Sequence, residues 1–196
     1  KEKDGVSTIE IAALTALHPL EAYLYELFKK YGFTAWNDIK ELLSAASGKE
    51  VRSKTHRLVK NRSTLLLTKL ESSSGQIYNI SKENGEVTHP IRLQFEEVSR
   101  MNELGNKALY VDEKTLKYPL TVRKWKNGDY FHPLGMQGKK KLSKYFKDEK
   151  VDVIAKEKQW LLCSDDQIVW VIGRRGDNRF KVTEKTKRII KISLNT

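Results

Sequence analysis

One cysteine in 196 residues excludes an internal disulfide, and the place of Cys163 in the apolar run WLLCS marks it as a small buried hydrophobe. No window approaches the roughly eighteen continuous apolar residues that a membrane span requires, and the opening KEKDGVSTIE lacks the apolar centre of a signal peptide. A cytoplasmic protein without a membrane partner is therefore expected. The four histidines, His18, His56, His89 and His132, are scattered, and with a single cysteine they form no spacing that would hold zinc, so no metal ligand is assigned. The start at lysine rather than methionine points to a piece of a longer protein.

Hydrophobic residues at 39% and charged ones at 32% describe a globular chain, long enough for one large domain or two small ones. Acidic charge is in short supply: the net charge is +12. Residues 107–150 carry 12 basic and 5 acidic side chains and residues 173–191 carry 8 and 2, whereas residues 1–106, with 15 and 14, are close to neutral. One local exception is KEVRSKTHRLVKNR, residues 49–62, with six basic groups against one acid. Clustered cations focus a field that dispersed ones do not, and a polyanion, most commonly a nucleic acid, is the partner such a field fits.

Periodicity predicts helix over 8–31, with Pro19 at a helix start and Leu20, Tyr23, Leu24, Leu27, Phe28 and Tyr31 as its core stripe. A second helix follows Thr34 as N-cap, burying Trp36, Ile39, Leu42 and Leu43. VRSKTHRLVKNRSTLLLTKL reads as a hairpin turning near Asn61, and QIYNI and IRLQFEEV as shorter strands around the turn-forming KENG. SRMNELGNK reads as a linker. Beyond it come strands at ALYVD and YPLTVRKW, a long loop KNGDYFHPLGMQGKKK, a short basic helix with Leu142, Tyr145 and Phe146 on one face, a WLLCS/IVWVIG hairpin, and a last strand RIIKISL. The expected fold class is α+β: two small mixed domains, 1–100 (a helical part with a hairpin) and 107–196.

FHPLGMQGKKKLSKYF, residues 131–146, has the glycines and lysine of a phosphate loop. Only Met136 and Gln137 separate Gly135 from Gly138, however, and Lys139 is followed by lysines instead of the hydroxyl residue that would reach magnesium, so a nucleoside triphosphate site is rejected. A solvated lysine face is the plain alternative. Against it stands the company of Arg123, Lys124 and Lys126 upstream, Lys144 on the helix, and Arg174, Arg175, Arg179 and Lys181 beyond, together with glycines and a helix N-terminus that can approach a phosphate closely. Arg52, Lys54, His56 and Arg57 of the basic hairpin form a second contact region. Ser143 is read as a helix cap, His132 as a hydrogen-bonded loop residue, Asp165, Asp166 and Asp177 as turn residues, and Trp36, Trp125, Trp160 and Trp170 as core candidates, of which Trp125, flanked by lysines, is the one that can instead face a ligand. No residue is assigned a catalytic role.

RKWKNGDYFHPLGMQGKKKLSKYFKDEKV, residues 123–151, strongly resembles the C-terminal domain of the bacterial tRNA(Ile)-lysidine synthetases: a basic strand, Gly-Asp, Pro-Leu-Gly-Met, a lysine run and a short helix ending Asp-x-Lys, in that order. IVWVIGRRGDNRFKVTEKTKRIIKI is similar to the family's closing segment, and SGKEVRSKTHRLVKNRSTLLL to its middle, substrate-binding domain. The resemblance implies a ligase that activates the wobble cytidine of the AUA-reading isoleucine tRNA with ATP and joins L-lysine to it, with ATP and magnesium held in an N-terminal PP-loop domain. No Ser-Gly-Gly-x-Asp-Ser loop occurs in this chain; the nearest run, SSSGQ at 72–76, lacks the second glycine and the aspartate. The resemblance thus implies a tRNA-recognition fragment, inactive alone, with isoleucine tRNA as partner; a homodimer is kept beside it as a possible assembly, which the resemblance does not address. A stand-alone basic RNA-binding module or a dimerisation module with no catalytic role is the alternative.

Overall fold

The computed structural model describes residues 2–3, 5–70, 76–102 and 105–195. Most of the SSSGQ run and residues 103–104 of the expected linker lie outside them. The chain divides into two compact units, Lys1–Ser73 with Asp152–Ile154, and Ser74–Val151 with Ala155–Thr196.

In the first unit, β1 (Glu2–Lys3) and β2 (Val6–Glu10) lead into α1 (Ile11–Thr15), α2 (Leu20–Phe28) and α3 (Trp36–Leu42), followed by β3 (Glu50–Arg52), β4 (His56–Asn61) and β5 (Thr64–Lys69). The strands form an antiparallel sheet in the order β1-β2-β5-β4-β3. The hairpin turns at Asn61 as its alternation predicts, with Arg62 in the left-handed region. The helix expected from residue 8 starts only at Ile11, because Thr8 and Ile9 pair with Leu66 and Leu65 of β5, and that pairing overrides a weak local periodicity. Leu24 and Phe28 enter the core with Ile39, Leu42, Leu58 and Leu65, whereas Tyr23 and Leu27, one turn apart, face outward. Ala35 rather than Thr34 occupies the N-cap of α3, and no side chain caps it. At the other end of that helix, the buried Lys60 donates from Nζ to the Leu43 carbonyl at 2.5 Å, satisfying one of the carbonyls a helix terminus leaves unpaired. Lys60→Met is expected to lower the unfolding free energy by about 1–3 kcal/mol, read from a urea titration.

The second unit contains β6 (Tyr78–Ile80), β7 (Glu86–Val87), β8 (Leu93–Val98), β9 (Ala108–Asp112), β10 (Leu120–Lys124), β11 (Tyr130–Phe131), β12 (Lys140–Lys141), α4 (Leu142–Asp148), α5 (Val153–Lys158, whose first two residues fall in the first unit's segment), β13 (Trp160–Ser164), β14 (Gln167–Val171), β15 (Arg175–Gly176) and β16 (Ile189–Leu194). Two sheets, β15-β14-β13-β10-β6 and β7-β8-β16-β9, enclose a core of Leu93, Val111, Leu120, Leu162, Trp170 and Ile192. Residues 74–100, assigned by sequence to the first domain, belong to this unit: β6 pairs with β10 and β8 with β16, and hydrogen bonds between distant strands outweigh chain proximity.

The long loop predicted at 126–141 is partly ordered as a ribbon, Tyr130 opposite Lys141 and Phe131 opposite Lys140. Behind it Phe131, Leu142, Tyr145 and Phe146 are buried with Leu161, Cys163 and Val171. Cys163 is fully buried, as expected, and burial pushes its thiol up to about 11. The β13/β14 hairpin turns through Asp165 and Asp166, both with positive φ, the backbone pair a tight hairpin needs to match strand twist.

Candidate nucleic-acid interface

The lysine ribbon owes its position to two anchored aspartates. Asp129 accepts both arms of the Arg123 guanidinium, each at 2.9 Å, and the Lys126 backbone N–H at 2.8 Å. Both side chains are nearly buried, at 11% and 7% exposure. Asp177, whose side chain is fully buried, accepts the His132 backbone N–H at 2.8 Å, the Arg179 N–H at 2.9 Å, and the Arg179 guanidinium at 3.0 and 2.8 Å. Planar guanidinium–carboxylate pairing of this kind fixes geometry as well as charge. One pair holds the entrance to β11 and the other holds its exit.

Several cations expected to meet phosphate therefore have other work. Arg123 and Arg179 are bound to these aspartates. Lys124 donates to the Lys158 carbonyl at 2.6 Å and lies 3.9 Å from the centre of the Trp160 ring. Arg174 donates to the Gln159 side chain at 2.7 Å, and Arg175 to the Leu134 carbonyl at 3.1 Å. Lys140 pairs with Asp148 at 2.8 Å, and the hydrogen bond from its ammonium holds the Asp148 carboxyl below the usual carboxylate range. Lys126, Lys139, Lys141, Lys144 and Lys181 make no ion pair among the described residues, and all five are exposed. In the first unit, Arg52 and Arg57 converge on Glu50 at 2.6 and 3.3 Å; His56 bonds Thr55 at 2.8 Å with its ring 4.9 Å from Tyr31; Lys54 is exposed.

Three hollows in the second unit gather the remaining groups. A cavity of about 600 Å³ beside the ribbon is walled by Tyr130, Met136, Lys139, Lys141, Lys144 and Asp148, among others. A second, of about 420 Å³, brings Arg174, Arg175 and Lys181 to an apolar wall of Leu109, Tyr110 and Trp170. A third, of about 160 Å³, joins Lys126 and Arg179. Tyr130 and Met136 escape the sequence reading, although the two-residue alternation of Tyr130 and Phe131, one outward and one buried, is the signal that would place the tyrosine on the surface.

Expectations about Trp125, Ser143 and the α4 terminus change, and that for His132 holds. Trp125 packs edge-on against Phe146 at 5.2 Å, because the apolar face of α4 offers more contact than solvent does. Ser143 lies inside α4, whose N-cap is Lys141. The first amide of that helix is spent internally: the Leu142 N–H donates to the Asp129 carbonyl at 2.8 Å, so α4 presents no free first amide to a phosphate. His132 is a hydrogen-bonded loop residue as read, its backbone N–H donating to Asp177 at 2.8 Å and its carbonyl accepting from the Asn178 N–H at 2.6 Å, while its buried ring Nδ1, 3.9 Å from Asp177, has no hydrogen-bond partner among the described residues. The described residues contain no cluster of three His, Cys, Asp or Glu able to hold a metal, and no helix among them is long and apolar enough to cross a membrane.

Residues 2–70 match the family model described as the TilS substrate binding domain, and residues 120–194 match that described as the TilS substrate C-terminal domain. The tRNA(Ile)-lysidine synthase of Parabacteroides distasonis is 44% identical over 188 residues, 93% of this chain and 43% of that protein. That of Bacteroides thetaiotaomicron is 38% identical over 186 residues, 93% of this chain and 42% of that protein. The chain thus spans about two fifths of the length of these relatives. A crystal structure of a TILS C-terminal domain is 21% identical, with a TM-score of 0.48, covering 62% of this chain and 100% of that one.

Proposed function

The chain belongs to the tRNA(Ile)-lysidine synthase family over its substrate-binding and C-terminal domains, and from that premise we propose that it is the tRNA-recognition portion of a cytoplasmic ligase that joins L-lysine to the wobble cytidine of isoleucine tRNA. The carrying observation is the pair of matches at 2–70 and 120–194, each to a family domain described by its substrate. ATP and magnesium serve a separate catalytic domain of the full-length enzyme. This chain binds and orients the tRNA.

The charge distribution supports that reading. An A-form RNA duplex closes its major groove to side chains and is held through phosphates and 2′-hydroxyls, for which unpaired ammonium groups on a firm ribbon are suited. Lys139, Lys141 and Lys144 supply them from the second unit, and Lys54 with His56 supplies a second region in the first. Isoleucine tRNA is expected to bind the isolated chain with salt-dependent affinity, and the chain to form no lysidine.

In an anisotropy titration over a range of salt, replacing Lys139, Lys140 and Lys141 together by alanine is expected to weaken binding and flatten the log–log salt slope by about two units. The expectation is two and not three because Lys140 is engaged by Asp148. An unchanged slope, or no affinity for tRNA at all, overturns the proposal.

A further inference from the structure

We propose that the cavity beside the lysine ribbon takes one unpaired nucleotide of the RNA partner, its base against Tyr130 and its phosphate among Lys139, Lys141 and Lys144. The inference rests on the RNA-binding reading above and goes beyond a clamp on duplex phosphates.

Three observations converge on a single nucleotide. The first is size: about 600 Å³ lies within the roughly 300–1,000 Å³ of small-ligand sites, room enough for one nucleotide and not for a duplex. The second is the pairing of apolar and cationic walls. Tyr130 is 48% exposed and Met136 45%, although Phe131, the next residue of β11, is fully buried. A clamp on phosphates alone has no use for two large apolar side chains held in water at its centre. A nucleotide has, because every base presents a π-face for which an exposed ring is a platform.

The third is the charge left over. Of the four lysines lining the cavity, Lys140 alone has a carboxylate partner, Asp148, among the described residues. Lys139 holds its ammonium 5.3 Å from the centre of the Tyr130 ring, a cation–π contact it can exchange for a phosphate once a base covers the ring. The cavity is therefore an anion site with a stacking surface, and a phosphate joined to a base satisfies both halves.

The test compares two RNAs on the full chain, a blunt duplex and the same duplex carrying a short single-stranded overhang. Wild type is expected to bind the overhang form more tightly. Tyr130→Ala should lower affinity for that form about tenfold while leaving the blunt duplex and its salt slope unchanged, and Tyr130→Phe should restore the difference. Uridine 5′-monophosphate should compete away only the overhang's increment. Equal loss on both RNAs, or no loss on either, overturns the cavity's role and leaves the phosphate clamp standing. Saturable binding of the free nucleotide with no effect on the overhang form also overturns it, since the site would then serve a free nucleotide. Failure of both RNAs to bind wild type overturns the RNA-binding reading itself, and this inference with it.

Discussion

Asp129→Ala is expected to lower the unfolding free energy by about 3–5 kcal/mol, as much as truncating a large core side chain. The carboxylate neutralises Arg123, whose side chain is only 11% exposed, and its removal would leave a guanidinium in a low-dielectric site with no counter-charge. The Lys126 N–H would lose its acceptor as well. Removing both partners is different. Arg123→Met with Asp129→Leu takes away two desolvated charges together, and the double variant is expected to recover most of the loss, as replacement of buried ion pairs by apolar side chains often does. Urea titrations of the two single variants and the double variant form the cycle that measures the coupling. A double variant no more stable than Asp129→Ala would show that the pair contributes through the geometry of the loop and not through its charges. Arg123→Met alone should leave the salt slope of tRNA binding unchanged, because its charge faces Asp129 and not solvent.

Asp177→Ala is expected to cost about 3 kcal/mol, at the lower end of the same range, because Arg179 is 30% exposed and water can take over part of its hydrogen bonding. The His132 N–H, by contrast, would lose its acceptor. Since His132 directly follows β11, the ribbon should loosen where it leaves the core, and amide exchange at Phe131 and His132 should quicken before global unfolding does. Unaltered exchange there with a full loss of stability would place the effect of Asp177 in the turn at Asn178–Phe180 alone.

Both aspartates bear on what a sequence can disclose. Charge is additive along a chain, so the basic excess at 107–150 and 173–191 is legible without a fold. The partner of each charge is not. Arg123 and Arg179 count as phosphate ligands until folding brings Asp129 and Asp177 onto them, and Lys140 counts with Lys139 and Lys141 until the last turn of α4 brings Asp148 beside it. Local structure was legible where the signal was long: the β4/β5 hairpin has six paired residues on each side, and the apolar face of α4 repeats at helical spacing. It was lost where the signal was short. The ribbon strands β11 and β12 are two residues each, too brief for any period, and Thr8 and Ile9 take their conformation from Leu66 and Leu65 far along the chain. The exposed Tyr130 and Met136 sit among glycines and lysines whose chemistry draws attention first.

The placement of β16 between β8 and β9 governs the order in which the protein can be made. Residues 93–98 and 108–112 emerge from the ribosome well before the strand that joins them: until residues 189–194 arrive, β8 has only the two-residue β7 beside it and β9, among the described strands, has no ladder partner. The first unit's sheet is complete at Lys69 and can close during synthesis, while β8 and β9 wait with unpaired edges through the translation of nearly eighty further residues. Nascent chains stalled before residue 189 should thus be captured by chaperones through these two strands, and release from them should coincide with the arrival of Ile189–Leu194.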